Sequence, residues 1–145
     1  PFQPTIKIPE EIYIPENYID DLDLRISIYK RIASINNEEK TNQLMNELID
    51  RFGKLPLEIN NLFKLMEIKL LCWKNNIELI EFSRKGIVFG FYLNQPPNAD
   101  KLMKLGFGNN NRFIIRPDQK IFYDFMGELN DDRFVLTKKL IEKMI

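Results

Sequence analysis

Glu47-Leu48-Ile49-Asp50-Arg51-Phe52-Gly53, followed at once by Lys54-Leu55-Pro56, closes one helix and launches the next. Leu44, Leu48 and Phe52 stand four apart with Met45 and Ile49 beside them, so one flank of the first helix is an apolar stripe. Glu47, Asp50 and Arg51 follow one another at i, i+3 and i+4 and share the opposite flank. Gly53 can take the left-handed conformation that closes a helix, and Pro56 suits the first turn of a new one. By spacing alone the charged flank reads as a solvated surface with a Glu47–Arg51 pair, worth ~0.3–0.5 kcal/mol.

On the N-terminal side, Asn36 and Glu39 are spaced as a capping box and predict a helix running to Phe52. Before it, Asp20-Asp21-Leu22-Asp23 opens a helix to about Ser34. Asp20 or Asp21 would accept its free N–H groups, and Lys30 and Arg31 complement its other end. Leu22, Ile26, Tyr29 and Ala33 form one apolar strip on this helix, widened by Leu24, Ile28, Ile32 and Ile35. Arg25 falls inside that arc and must snorkel out or find a carboxylate. Phe2 to Ile8 reads as an edge strand between Pro4 and Pro9, and Glu10 to Asn17 as irregular connecting chain.

On the C-terminal side, a helix from Pro56 to about Asn75 carries Leu57, Phe63, Met66, Ile68, Leu70 and Cys72 nearly all round, the pattern of a core helix. Two hairpins follow. Ile77–Ser83 and Ile87–Leu93 turn at Lys85-Gly86, and Arg112–Arg116 and Gln119–Phe125 turn at Pro117-Asp118. Between them lie a short helix, Ala99–Leu105, capped by Asn98 and stopped by Gly106, and a loop from Gly108 to Asn111. A last helix, capped between Asn130 and Asp132, runs to Ile145. This order predicts an α+β fold: an antiparallel sheet of two hairpins plus an N-terminal strand, covered by a three-helix unit and a C-terminal helix. Residues 1–20 are expected to be an extended linker and strand, and 21–145 one domain.

The chain has 145 residues, 21 Lys and Arg balanced by 21 Asp and Glu, and no histidine. Neutrality gives no global argument for attraction to nucleic acid or membrane. No apolar run spans a bilayer and no secretory leader is visible, and a single cysteine fits a reducing cytoplasm. The opening Pro1 leads us to expect a part of a longer protein. Without histidine the commonest general base and metal ligand are missing, and one cysteine builds no zinc site. Cys72, between Leu71 and Trp73, is expected to be an inert core thiol. Asp20, Asp21 and Asp23 lack the spacing and central glycine of a calcium loop. Neither Gly86–Gly90 nor Gly53-Lys54 is a phosphate cradle. No catalytic, cofactor-binding or metal-binding residue is assigned. Arg112, Arg116 and Lys120 with Phe113, Phe122 and Tyr123 put basic and aromatic groups on adjoining strands. That hairpin is a half-buried sheet with a polar outer face, or else a nucleic-acid-binding surface.

Beyond its physics, the string Tyr18-Ile19, then Arg25-Ile26-Ser27-Ile28-Tyr29-Lys30-Arg31-Ile32-Ala33-Ser34, then Glu47 to Gly53 with Leu55-Pro56, resembles the C-terminal domain of the bacterial transcription-repair coupling factors (Mfd). The resemblance covers roughly Ile8 to Ile145, densely to about Ile80. One departure is Asp20, where the family usually carries Pro, which makes the entry to the first helix less rigid and more acidic. The resemblance implies a parent that is an ATP- and Mg-dependent double-stranded DNA translocase, displaces stalled RNA polymerase and recruits the excision-repair protein UvrA. It implies that this domain is non-catalytic, cytoplasmic and monomeric in isolation, and that it clamps and masks the UvrA-binding module of the same chain. Carried over residue by residue, the clamp contacts are Glu47, Asp50 and Arg51. The alternative function is nucleic-acid binding by the Arg112–Lys120 hairpin.

Overall fold

The structure is a computed structural model that describes residues 2–108 and 112–145. Of the loop expected from Gly108 to Asn111, residues 109–111 lie outside the described residues, as does Pro1. Two compact units form: residues 10–70, and residues 2–9 with 71–108 and 112–145.

The first unit is helical. It holds α1 (Leu22–Ala33), α2 (Glu38–Phe52) and most of α3 (Leu57–Lys74). Asp21 caps α1, its Oδ1 accepting from the Asp23 N–H at 2.9 Å. The α2 cap is Asn37, one residue beyond the capping box expected at Asn36: its side chain accepts from the Lys40 N–H at 2.9 Å, while Asn36 Oδ1 instead accepts from Asn37 Nδ2. The apolar core of this unit includes Ile28, Ile32, Leu44, Leu48, Ile59 and Phe63. On α1 the outcome differs from the sequence expectation. Ile28, Ile32 and Ile35 are buried, whereas Leu22, Ile26 and Tyr29 are 60%, 42% and 37% exposed. At 3.6 residues per turn the exposed strip stands about 100–160° round the helix from Ile28, and one helix face cannot bury both. Arg25 solves its problem by both routes: its guanidinium donates to the Ile19 carbonyl at 2.8 Å and the Asp20 carbonyl at 3.1 Å, and approaches Glu16 at 3.6 Å.

The connecting chain before α1 is held by hydrogen bonds. Asn61 Nδ2 donates to the Glu11 carbonyl at 3.0 Å, and the Ile14 N–H donates to the Tyr29 hydroxyl at 2.7 Å. Tyr18 is the strongest tie. Its hydroxyl lies 2.7 Å from the Gly53 carbonyl and 3.1 Å from the Leu48 carbonyl, while its ring packs 5.7 Å from Phe52. Partial burial raises the Tyr18 phenol above its ordinary pKa of 10. It therefore remains a donor, its single O–H satisfying the Gly53 carbonyl and reaching the Leu48 carbonyl more weakly.

The second unit carries a five-stranded sheet: β1 (Thr5–Lys7), β2 (Ile77–Phe82), β3 (Gly86–Phe91), β4 (Phe113–Ile115) and β5 (Ile121–Asp124), in the order β1-β2-β3-β5-β4. The two hairpins pair antiparallel as their turns require, and β3 pairs β5 antiparallel as well. β1 adds one parallel pair, Thr5 opposite Leu79 and Lys7 opposite Glu81, which makes the sheet mixed. A parallel partner needs a long connection, and about 70 residues separate these strands. Lys7 and Glu81 form a cross-strand ion pair at 3.5 Å. At the turn between β2 and β3, Gly86 sits under the Phe122 ring and against the Tyr123 carbonyl, where a Cβ has no room. Helices α4 (Ala99–Gly106) and α5 (Arg133–Met144) complete the unit. Asn98 caps α4 as expected, and Asp132 caps α5 through Phe134 and Val135. Phe134, Leu140, Ile141 and Met144 of α5 are buried.

Gly53 adopts φ +93 and ψ −166, a region essentially restricted to glycine, with open space where a Cβ would stand. Gly53→Ala is therefore expected to lower stability by about 1–3 kcal/mol through backbone strain alone. Gly53→Asn should give no recovery, because the ψ lies outside the left-handed basin that Asn tolerates. Urea unfolding measures both, and an unchanged midpoint for Gly53→Ala would contradict this origin of the helix stop.

Candidate interaction surface

Burial of Leu44 and Leu48, 3% and 0% exposed, turns Asp50 outward and leaves a charged border beside the buried stripe. Glu47 and Arg51 stand there as the sequence spacing requires, with Arg51 Nη1 3.3 Å from Glu47 Oε2. The dominant partner of Glu47 is a different residue. Arg31 of α1 grips it with both guanidinium nitrogens, Nη1 to Oε2 at 2.6 Å and Nη2 to Oε1 at 3.0 Å. Such forked pairs are shorter and more directional than single contacts. The Arg51 guanidinium also lies 4.9 Å from the centre of the Phe52 ring, a cation–π contact that fixes its position. Arg31, Glu47 and Arg51 thus form a prearranged triad across two helices.

Charge follows geometry. Hydrogen bonding to Arg31, and secondarily to Arg51, holds the Glu47 carboxyl below its ordinary value of 4.5, and the same bond raises Arg31. Glu47 accepts three hydrogen bonds out of about four that a carboxylate can take, so one position remains. Asp50, one helical step away, is exposed and pairs with no described residue. The three expected site residues share a face, but only Glu47 and Arg51 touch. Sequence reasoning missed Arg31, which belongs to the same Tyr-Lys-Arg string but lies 16 residues from Glu47. Its position in the last turn of α1, on the polar flank, was the available signal. From Arg31 a shallow groove of about 500 Å3 runs along α1, lined by Asp23, Ile26, Ser27, Lys30 and Ser34.

The hairpin proposed as a nucleic-acid surface is differently arranged. Arg116 is paired with Asp118 at 2.7 Å, and Arg112 donates to the Phe125 carbonyl at 3.3 Å. The Lys120 N–H, then Arg116, holds the Asp118 carboxyl below the usual range. Phe113 is buried and meets Tyr123 edge-on at 5.2 Å, which withdraws Phe113 from any base, while Phe122 and Tyr123 are half-buried. Elsewhere, Cys72 is fully buried, and burial pushes its thiol up to about 12, which keeps it unreactive. Among the described residues no cluster of three His, Cys, Asp or Glu is arranged to hold a metal, and no helix is long and apolar enough to cross a membrane.

An α+β domain with a charged helical face and no assigned catalytic group is the class that the fold and surface define. The sequence model of the TRCF domain matches residues 8–102. The chain belongs to the TRCF domain family. It is 39% identical over 145 residues to the transcription-repair-coupling factor of Rickettsia conorii, covering all of this chain and 12% of that protein. The protein of the same name from Rickettsia bellii is 40% identical over the same span, again 12% of its length, and that from Haemophilus influenzae 31% over 131 residues, or 90% of this chain and 11% of the relative. The chain therefore spans about an eighth of the relatives it matches. The fold is that of the crystal structure of the C-terminal domain of transcription-repair coupling factor, with a TM-score of 0.76 at 22% identity over 99% of this chain and 90% of that one.

The depressed Glu47 carboxyl fixes a pH dependence. Its folded value lies below the unfolded one, so the Arg31 pair stabilises above about pH 4.5 and the gain is lost as pH falls through the folded value. The pair is exposed to solvent, which limits the effect to less than about 1 kcal/mol. Glu47→Gln is expected to destabilise by that amount at neutral pH and to match the parent chain at a pH low enough to protonate Glu47 in the folded state, both read by urea unfolding. Equal destabilisation at both pH values would remove the ion pair as the cause.

Proposed function

We propose that this chain is the C-terminal regulatory domain of a transcription-repair-coupling factor, and that the α2 face docks on the UvrA-binding module of the same protein. The parent would be the ATP- and Mg-dependent double-stranded DNA translocase that displaces stalled RNA polymerase and recruits UvrA. This domain contributes no catalysis to that work. It covers the UvrA-binding module until the motor engages.

The observation that carries the reading is Asp50, a free exposed carboxylate beside a triad already fixed in place. Asp50 takes a basic group of the partner. Glu47 acts mainly by holding Arg31 and Arg51 where a partner carboxylate can reach them, and it accepts at most one further bond. Ile49, 44% exposed on the same helix, supplies apolar cover at the edge. Because the two modules share a chain, the effective concentration reaches about the millimolar range, so a weak interface suffices and can open when the motor changes shape. The nucleic-acid reading gains no support from a hairpin whose Arg116 is paired internally.

Calorimetric titration of the chain with the UvrA-binding module at low and high salt tests this. Micromolar to sub-millimolar binding is expected, weaker in salt and reduced about tenfold or more by Asp50→Lys, a change that touches no internal partner. Glu47→Lys should weaken it as well, with some loss of stability. Binding unaffected by Asp50→Lys would move the surface elsewhere. Absence of binding, together with salt-dependent retention of duplex DNA, would favour the hairpin.

A further inference from the structure

The neutral total conceals a division of charge. Residues 10–70 carry 12 Asp and Glu against 8 Lys and Arg, a net of −4, and the remaining residues carry 13 Lys and Arg against 9 Asp and Glu, a net of +4. In the sheet-bearing unit part of the positive excess gathers on a groove of about 610 Å3 between α4 and α5. Each helix lends one face at i, i+3 and i+4: Lys101, Lys104 and Leu105 from α4, and Lys139, Glu142 and Lys143 from α5. Four lysines therefore line the groove against a single glutamate. Lys101 is engaged in structure, its ammonium donating to the Ile145 carbonyl at 2.7 Å and the Glu142 carbonyl at 3.3 Å. Lys104, Lys139 and Lys143 are exposed and pair with no described residue. Lys139 and Lys143, four apart on one helix, repel each other.

We propose that this groove receives an acidic amphipathic helix of a protein partner. Charge complementarity carries the assignment. Acidic groups four apart on an incoming helix recur every ~6 Å, the same rise that separates Lys139 from Lys143 on α5. The walls also favour protein over nucleic acid. Leu105 and the aliphatic stems of four lysines make an apolar floor, which an amphipathic helix covers and a phosphate backbone does not. No arginine is present in the groove to fork a phosphate, and Glu142 opposes one. The charges steer the approach and the floor holds the bound helix. The groove lies in a different unit from Asp50, so this inference does not depend on the α2 docking face.

Fluorescence anisotropy of the whole 145-residue chain tests it. The probe is a labelled helical peptide with leucines along one face and glutamates at i, i+4 beside them. Binding at low salt is expected, weakened about tenfold by Lys139→Glu with Lys143→Glu and weakened by added salt. Lys40→Glu on α2 should leave it unchanged. Lys139→Met with Lys143→Met, which keeps the apolar stems, should remove the salt-dependent part and retain some affinity. Thermal unfolding confirms that these surface variants fold. The proposal is overturned if the peptide does not bind at low salt, or if binding survives the charge reversal. It is equally overturned if duplex DNA of matched charge displaces the peptide as well as the unlabelled peptide does.

Discussion

The structure of the helical unit depends on one constraint: a helix of this size can bury a single stripe. In α2 that stripe is Leu44 and Leu48, and fully burying two leucines is worth about 3–6 kcal/mol. Everything on the charged face follows from it. With Leu48 fixed inward, Asp50, about 160° round the helix from it, faces solvent, while Glu47 and Arg51 border the buried stripe. The helix must also stop where Gly53 takes a backbone conformation that other residues resist. Tyr18 then locks the stop by donating to the Leu48 and Gly53 carbonyls. The position of the charged face is therefore set by apolar burial and a glycine rather than by the charges themselves.

The charges act at a second level. The Arg31–Glu47 fork is solvent-exposed and adds little to stability, but it arranges two guanidinium groups and leaves Asp50 as the unengaged carboxylate. Side chains already held in place by one another lose little further freedom in a contact, which suits a surface to reversible docking. The sheet-bearing unit shows the same principle with opposite sign. Packing of α4 beside α5 gathers lysines that are far apart in sequence, and only Lys101 is used internally.

Much of this was legible in the sequence because it is local. The caps Asp21, Asn98 and Asp132, the glycine stop and the turn at Pro117-Asp118 are each decided within a few residues. The first hairpin instead turns at Arg84-Lys85, one residue before the expected Lys85-Gly86, because Gly86 already belongs to β3. The dilemma of Arg25 was legible as well, since burial of a charge has few solutions. What escaped is non-local or degenerate. Two stripes of similar hydrophobicity ran along α1, and only its packing partners could decide that Ile28 and Ile32 go inward while Leu22 and Ile26 stay out. The Arg31–Glu47 pair joins two helices across 16 residues, and β1 finds a parallel partner across about 70, so no spacing rule reaches either. Spacing pairs Glu47 with Arg51, and in the fold Arg31 holds it more closely still.

The central claim is that the α2 face, centred on Asp50, is where this domain meets the UvrA-binding module. Nuclear magnetic resonance of the isotope-labelled chain titrated with that module tests it most directly, residue by residue. Amide shifts concentrated at Arg31, Glu47, Asp50, Arg51 and their neighbours are expected, with β4 and β5 unmoved. Saturable binding that leaves those four amides in place and shifts another surface would contradict it.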